Sequence, residues 1–364
     1  MKRKKFKLLL STLSLVVFLW GCSEDAEFTP IKTGPFTLVS HELNGITINE
    51  LLIKNDWIFA ATSDGVYGKN LKSTNSKFIS LGLKGNNVLD LHPFTDSEIL
   101  SSVVNLKENE GLVSKLYKTN DRGNTWSVFE SNFGGSDPRF RDGLSDFEEV
   151  PGHPNHLYAT GQSVIAKSLD RGKTWQPIWG EWGMVAQPSM NMALNPVLPN
   201  ELWVGGQGPI ENGYLVHLKN DREEKSWNDL VPNPTVVKEI VIDRDNPQTI
   251  YVGWEGELSK TTDNGKTWKT LIDRHAESHF FFGIGISPGN SNIIYAAKWK
   301  KAMERQILEI YHSKDKGLTW ETTAFPQIAQ GGVWDLRVIR SGNQDRLYLG
   351  LDKGGIAEVI VDNL

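Results

Sequence analysis

The chain has 364 residues, 39% of them hydrophobic and 23% charged, which excludes a disordered tail and a multi-span membrane protein. Its formal charge is −5, and without the basic residues Lys2, Arg3, Lys4, Lys5 and Lys7 the remainder carries 34 bases against 44 acids, so no nucleic-acid partner is expected. A single cysteine, Cys22, excludes an intramolecular disulfide framework and a multi-thiolate zinc site.

The first element is a leader. Residues 2–7 are basic, and Leu8–Trp20 is an apolar run interrupted by Ser11, Thr12 and Ser14, too short for a comfortable membrane span. It ends in Leu19-Trp20-Gly21-Cys22, which resembles a lipobox, in which the cysteine is acylated and becomes the first residue. The resemblance implies a signal peptide over 1–21, lipidation at Cys22 and anchoring to the outer membrane, since acyl burial contributes about 0.8 kcal/mol per methylene. The alternative is an ordinary signal peptide with a buried Cys22. Ser23-Glu24-Asp25-Ala26-Glu27 follows, and resembles the export signal of surface lipoproteins in polysaccharide-degrading Gram-negative bacteria; a solvated tether reads equally well. Residues 22–35 are then the tether, and the folded domain is expected over 36–364.

A repeat governs that domain. Thr119-Asn120-Asp121-Arg122-Gly123-Asn124-Thr125-Trp126 returns around Asp170, Asp263 and Asp315, each time with Gly two residues later and Thr-Trp closing the phrase. A fifth copy, Asn220 to Trp227, has one extra residue and lacks the glycine. Each carboxylate can accept hydrogen bonds from its own turn, the glycine can take positive φ, and the tryptophan packs on the adjoining strand. Asp121, Asp170, Asp263 and Asp315 are therefore expected to be structural.

The tryptophans of successive copies lie 49, 52, 41 and 52 residues apart, and residues 36–364 hold about seven such units. An apolar–aromatic strand precedes each turn, from Trp57-Ile58-Phe59 through Leu157-Tyr158 and Ile250-Tyr251 to Leu347-Tyr348. Units of this length hold about four short strands, so the expected fold is an all-β, seven-bladed β-propeller. The last unit runs out with three strands at Leu364, and Phe36-Thr37-Leu38-Val39-Ser40 can supply the missing outer strand and close the ring.

The repeated phrase resembles the Asp-box, or BNR repeat, of sortilin ectodomains, the photosystem II assembly factor, xyloglucanases and sialidases. That class includes enzymes and pure binders. The sialidase Arg-Ile-Pro signature is absent, the nearest string being Pro138-Arg139-Phe140-Arg141, and sialidases have six blades. Asp146-Phe147, Pro154, Leu157-Tyr158 and the box at Asp170 resemble the phrase that carries the xyloglucanase catalytic aspartate. Those enzymes, however, build their cleft between two propellers.

Propeller geometry sends the box turns to one face and brings the other loops to the opposite face. Counting back from the second strand of each unit puts Glu50, Asp90, Asp146, Asn191, Glu239, Gly283 and Asp335 at the channel mouth. Asp146, Glu239 and Asp335 are the candidate catalytic acid and base; the same oxygens could take a calcium ion, or be simply solvated. No other cofactor is expected. Trp182, Trp254, Trp299 and Trp334, with Arg139 and His275, are the candidate ligand-binding residues, because indole faces stack on sugar C–H patches while charged forks hold hydroxyls. Packing between blades is the alternative for these tryptophans. The function expected is a surface-anchored propeller that binds a glycan or a partner protein, alongside other polysaccharide-uptake proteins. A glycoside hydrolase, or a lyase with His275 or His279 as base and Arg139 neutralising a uronate, is the alternative.

Overall fold

The structure, a computed structural model, describes residues 28–73, 75–107, 111–135, 142–162, 164–183, 191–207, 213–227, 236–273 and 278–362. Cys22, Arg139 and His275 lie outside the described residues. Within them all regular secondary structure is β-strand, arranged as six four-stranded antiparallel sheets and one five-stranded sheet. Each sheet is one blade, so the ring has seven. The inner strands, in ring order, are Ile48–Lys54, Val88–Pro93, Asp146–Glu149, Asn191–Leu194, Val237–Ile242, His279–Ile286 and Val333–Ser341. Each packs against the next, and the last packs against the first.

The sequence pattern explains the layering. Second strands such as Trp57–Thr62, Leu157–Thr160 and Ile250–Trp254 are buried along their whole length, because each lies mid-blade with a neighbouring blade on either face. Outer strands such as Ser127–Val128 are short and exposed, which leaves little edge for another chain to pair with. The core is accordingly divided into clusters that straddle blade boundaries, one of them joining Trp203 and Val252 of blades 4 and 5.

Ring closure uses both ends of the chain. Phe36–Glu42 pairs antiparallel with Gly355–Val361, and Phe36 sits opposite Val361. Ile31–Thr33 then folds back on Phe36–Leu38 as a fifth strand, so pairing begins inside the segment expected to be tether. Lys69 of blade 1 clamps the seam by reaching Glu42 at 3.2 Å and Glu358 at 2.6 Å, one carboxylate from each terminal strand.

The four intact turns share one geometry. Asp121 Oδ1 accepts from Thr125 N–H at 2.8 Å, its Oδ2 accepts from the Thr125 hydroxyl at 2.6 Å, and Gly123 N–H donates to Thr119 Oγ1 at 2.9 Å. The carboxylates of Asp170, Asp263 and Asp315 make the same pair of bonds to Thr174, Thr267 and Thr319. The residue before each glycine also has positive φ, at Arg122, Arg171, Asn264 and Lys316. Its N–H donates to the loop between the first two strands of its blade, as from Arg171 to the Asn155 carbonyl at 2.9 Å. Box turns and those loops therefore share one face. In the degenerate copy Asp221 is released from this duty, and accepts instead from Tyr158 at 2.6 Å and Lys167 at 2.7 Å on blade 3.

Candidate functional site

The opposite face holds the starts of the inner strands and the ends of the second strands. There the seven expected positions occupy equivalent places. Glu50, Asp90, Asp146, Asn191, Glu239, Gly283 and Asp335 pair with Ala61, Ser102, Thr160, Gly205, Gly253, Ala297 and Gly350. Every partner is small, because the next blade's inner strand packs against it. A Cβ on Gly205 would lie 2.6 Å from Val237, and one on Gly253 would lie 2.1 Å from the Phe281 carbonyl oxygen. In four blades a β-bulge sits immediately before the carboxylate, at Asn49, Leu89, Lys238 and Trp334.

Three aspartates link blade to blade. Asp335 Oδ2 accepts from Leu51 N–H at 2.6 Å, Asp90 Oδ2 from Phe147 N–H at 2.7 Å, and Asp146 Oδ2 from Met192 N–H at 3.1 Å. In each case the donor is the residue just after the equivalent position of the next blade. Asn191 makes the corresponding link through its amide, which donates to the Val237 carbonyl at 3.0 Å. The Glu239 carboxyl has no side-chain hydrogen bond among the described residues.

Arg337 organises the ring. It contacts Glu50, donates from Nε to the Leu51 carbonyl at 2.7 Å, and lies 3.3 Å from Asp335 Oδ1. Its charge acts on Glu50, Asp146, Glu148, Glu239 and Asp335, while Asp90 completes the acid ring beside Asp146 and Glu148. Burial raises all six carboxyl groups, and repulsion from neighbouring acids adds to it in every case but Asp335: Asp146 is pushed to about 6, and Glu148 and Glu239 to about 8. Arg337 is held charged by Asp335, Glu50 and Glu239 although burial opposes it. Glu148 and Arg337 escaped the sequence reading. Both lie two residues beyond a ring position, on the same side of their strand, and the period of two was the signal that could have found them. Among the described residues no group of three or more His, Cys, Asp or Glu side chains has the geometry to hold a metal ion.

The candidate tryptophans separate. Trp254 is 1% exposed, in the core between blades 4 and 5, and cannot stack on a ligand; the expectation for it is corrected. It ends a second strand whose side chains all point into blade interfaces. Trp182 is half-buried, edge-on to Phe133 at 4.9 Å, and joins the core of blades 2 and 3. Trp299 and Trp334 do come together, with ring centroids 6.3 Å apart. Phe282 lies 6.1 Å from Trp334, and Phe280 lies 5.4 Å from Trp299. Phe282, Trp299 and Trp334 are partly open and form an aromatic floor beside the channel mouth. Lys238 lies over Phe280 and Phe282 at 4.7 and 5.4 Å, and Trp299 Nε1 donates to Asp352 Oδ2 at 3.0 Å. His279 begins the inner strand of blade 6, where burial and then Lys298 and Lys300 lower its pKa and keep it neutral.

No protein-family profile matches the chain. A probable oligoxyloglucan-reducing end-specific xyloglucanase from Neosartorya fischeri is 27% identical over 179 residues, covering 44% of this chain and 21% of that protein. The alignment thus spans about a fifth of that relative. Among solved structures, the GH74 xyloglucanase from Xanthomonas campestris superposes with a TM-score of 0.63 at 14% identity, covering 89% of this chain and 53% of its own. YCF48 from Cyanidioschyzon merolae gives a TM-score of 0.60 at 12% identity, over 90% of this chain and 98% of its own. A chain of the mitotic checkpoint complex gives 0.64 at 13% identity, over 100% and 99%. These likenesses establish the propeller fold. At such identities they carry no activity across.

Proposed function

We propose that this chain is a glycan-binding propeller that engages its ligand on the face opposite the box turns. The observation that carries the reading is the partly open floor of Phe282, Trp299 and Trp334, with charged groups at its edges. Flat rings beside hydrogen-bonding groups suit a sugar, whose faces are apolar and whose rim is hydroxylated. Likeness to a xyloglucanase over part of the sequence supports a carbohydrate ligand in preference to a partner protein. Anchoring through a lipidated Cys22 in the outer membrane would place this face among other proteins of polysaccharide uptake.

The same likeness supports a second reading, a glycoside hydrolase using Asp146, Glu239 and Asp335. Against it, Asp335 is held through both oxygens, by the Leu51 N–H and by Arg337, and Asp146 gives one oxygen to the Met192 N–H, whereas a general acid needs a free oxygen facing substrate. A glycan array followed by reducing-end and unsaturation assays separates the two. Binding without turnover, weakened by Trp334→Ala and Trp299→Ala, is the outcome expected. Turnover abolished by Glu239→Gln would establish the enzyme instead. Incorporation of a palmitate analogue in the wild type, and none in Cys22→Ala, tests the anchor.

A further inference from the structure

The two ends of the aromatic floor differ in charge. At the blade 5–6 end, Lys238 lies over Phe280 and Phe282, and Lys301 lies 5.7 Å from the Phe280 centroid. Lys298 and Lys300 stand behind them and share one carboxylate, Glu309, at 3.7 and 3.0 Å. Lys238 is paired with Glu255 at 3.1 Å, whereas exposed Lys301 has no carboxylate partner among the described residues. Among the described residues four cations thus share two carboxylates, in a chain whose acids outnumber its bases. At the other end Asp352 is held by the Trp299 indole and by the Thr47 hydroxyl at 3.1 Å. Between the two ends, the Trp334 indole nitrogen is buried and has no acceptor among the described residues.

We infer that the glycan bound here is anionic, with its charged group at Lys238 and Lys301, its ring face on Phe282 and Trp334, and its hydroxyls toward Asp352. The inference rests on the glycan-binding reading and adds the substrate class. An ammonium beside a ring has lost part of its hydration, so an incoming anion displaces less water than it would at an open lysine. A sugar oxygen reaching the edge of Trp334 would satisfy a donor that is costly to leave unpaired in the interior. The acid ring next door opposes the anion only weakly. Glu239, adjacent to Lys238 in sequence, points across the strand into the channel and is neutral near pH 7, and Arg337 offsets its neighbours.

The test is an array of uronate-bearing and sulfated oligosaccharides, each uronate printed beside its carboxyl-reduced neutral counterpart, probed with the purified chain. Uronate or sulfated probes should be retained, carboxyl reduction should weaken binding about tenfold, and added salt should weaken it further. Lys301→Met, at an exposed position, should cost several-fold on acidic probes with an unchanged unfolding midpoint. Lys238→Met should add to that loss, and Trp334→Phe, which keeps a ring and removes the N–H, should weaken binding at unchanged salt dependence. Retention of sulfated probes alone would assign the anion to sulfate. Equal binding of the uronate probes and their neutral counterparts, with sulfated probes no better, would overturn the inference and leave the glycan reading intact. Absence of binding to every sugar would overturn both.

Discussion

Gly265 shows what a single residue has to do in these turns. Its φ is +79°, and a Cβ there would lie 2.7 Å from the Trp227 ring and 2.8 Å from Trp203, so the position is closed on conformational and steric grounds alike. Gly265→Val should lower stability by about 1–3 kcal/mol from backbone strain alone, read as a shift in denaturation midpoint, with glycan binding by the folded fraction unchanged. The expected roles of the box residues were legible because the motif is local; every bond of the Asp263 carboxylate falls within four residues of it. Trp254 was not legible, since an aromatic at the end of a strand looks the same whether it faces solvent or the next blade. Trp254→Ala should act as a core cavity mutation costing about 3–5 kcal/mol, and should not behave as a binding mutation. A variant of normal stability that binds poorly would reverse that assignment.

Within a blade, the inner strand carries both architecture and charge. Its register was readable from the sequence, because the count back from the second strand lands on equivalent positions in all seven blades. The use of those positions was not readable: the N–H donors they serve belong to the following blade, 46 to 284 residues away. Asp335→Ala should strand the buried Leu51 N–H and release Arg337 from one partner, costing about 1–3 kcal/mol or more. Asp335→Asn, which retains an acceptor oxygen, should recover part of the loss. Equal midpoints for the two variants would show that the link from blade 7 to blade 1 contributes little. The bulges one residue earlier explain why ring and floor coexist, since each turns one side chain to the mouth and the next into the channel.

At the scale of the whole ring, the channel acids predict a pH profile. Asp146 titrates near about 6, and Glu148 and Glu239 near about 8, against ordinary values of 3.8 and 4.5. Folded-state values raised in this way give stability that is complete below the ordinary range and is lost as pH climbs through them. The box aspartates Asp263 and Asp315, and Glu149 beside His92 and Lys54, are lowered to about 2, so their contribution is lost only as pH falls toward that value. Denaturation midpoints should therefore fall from pH about 4.5, the ordinary carboxyl value, to about 8, and level off above it. Glu148→Gln with Glu239→Gln should flatten the fall. A midpoint that rises over this interval, or a double variant with the wild-type slope, would remove the channel acids as its cause.

The seam has a consequence for how the chain is made. Phe36 finds its partner Val361 only after every blade has been synthesised. At about 5–20 residues per second, the early strand waits roughly 15–65 seconds for that partner, with Ile31–Thr33 available to one edge and the edge that will meet Gly355–Val361 unpaired. Its composition suits the wait: Thr37, Ser40, His41 and Glu42 interrupt the apolar side chains, so the segment is a poor template for a second nascent chain. Lys69, made early in blade 1, can hold Glu42 in the interval and take up Glu358 when it arrives. A ring built in this order is unfinished until its last strand, and the hazard of misassembly is concentrated at that one late encounter.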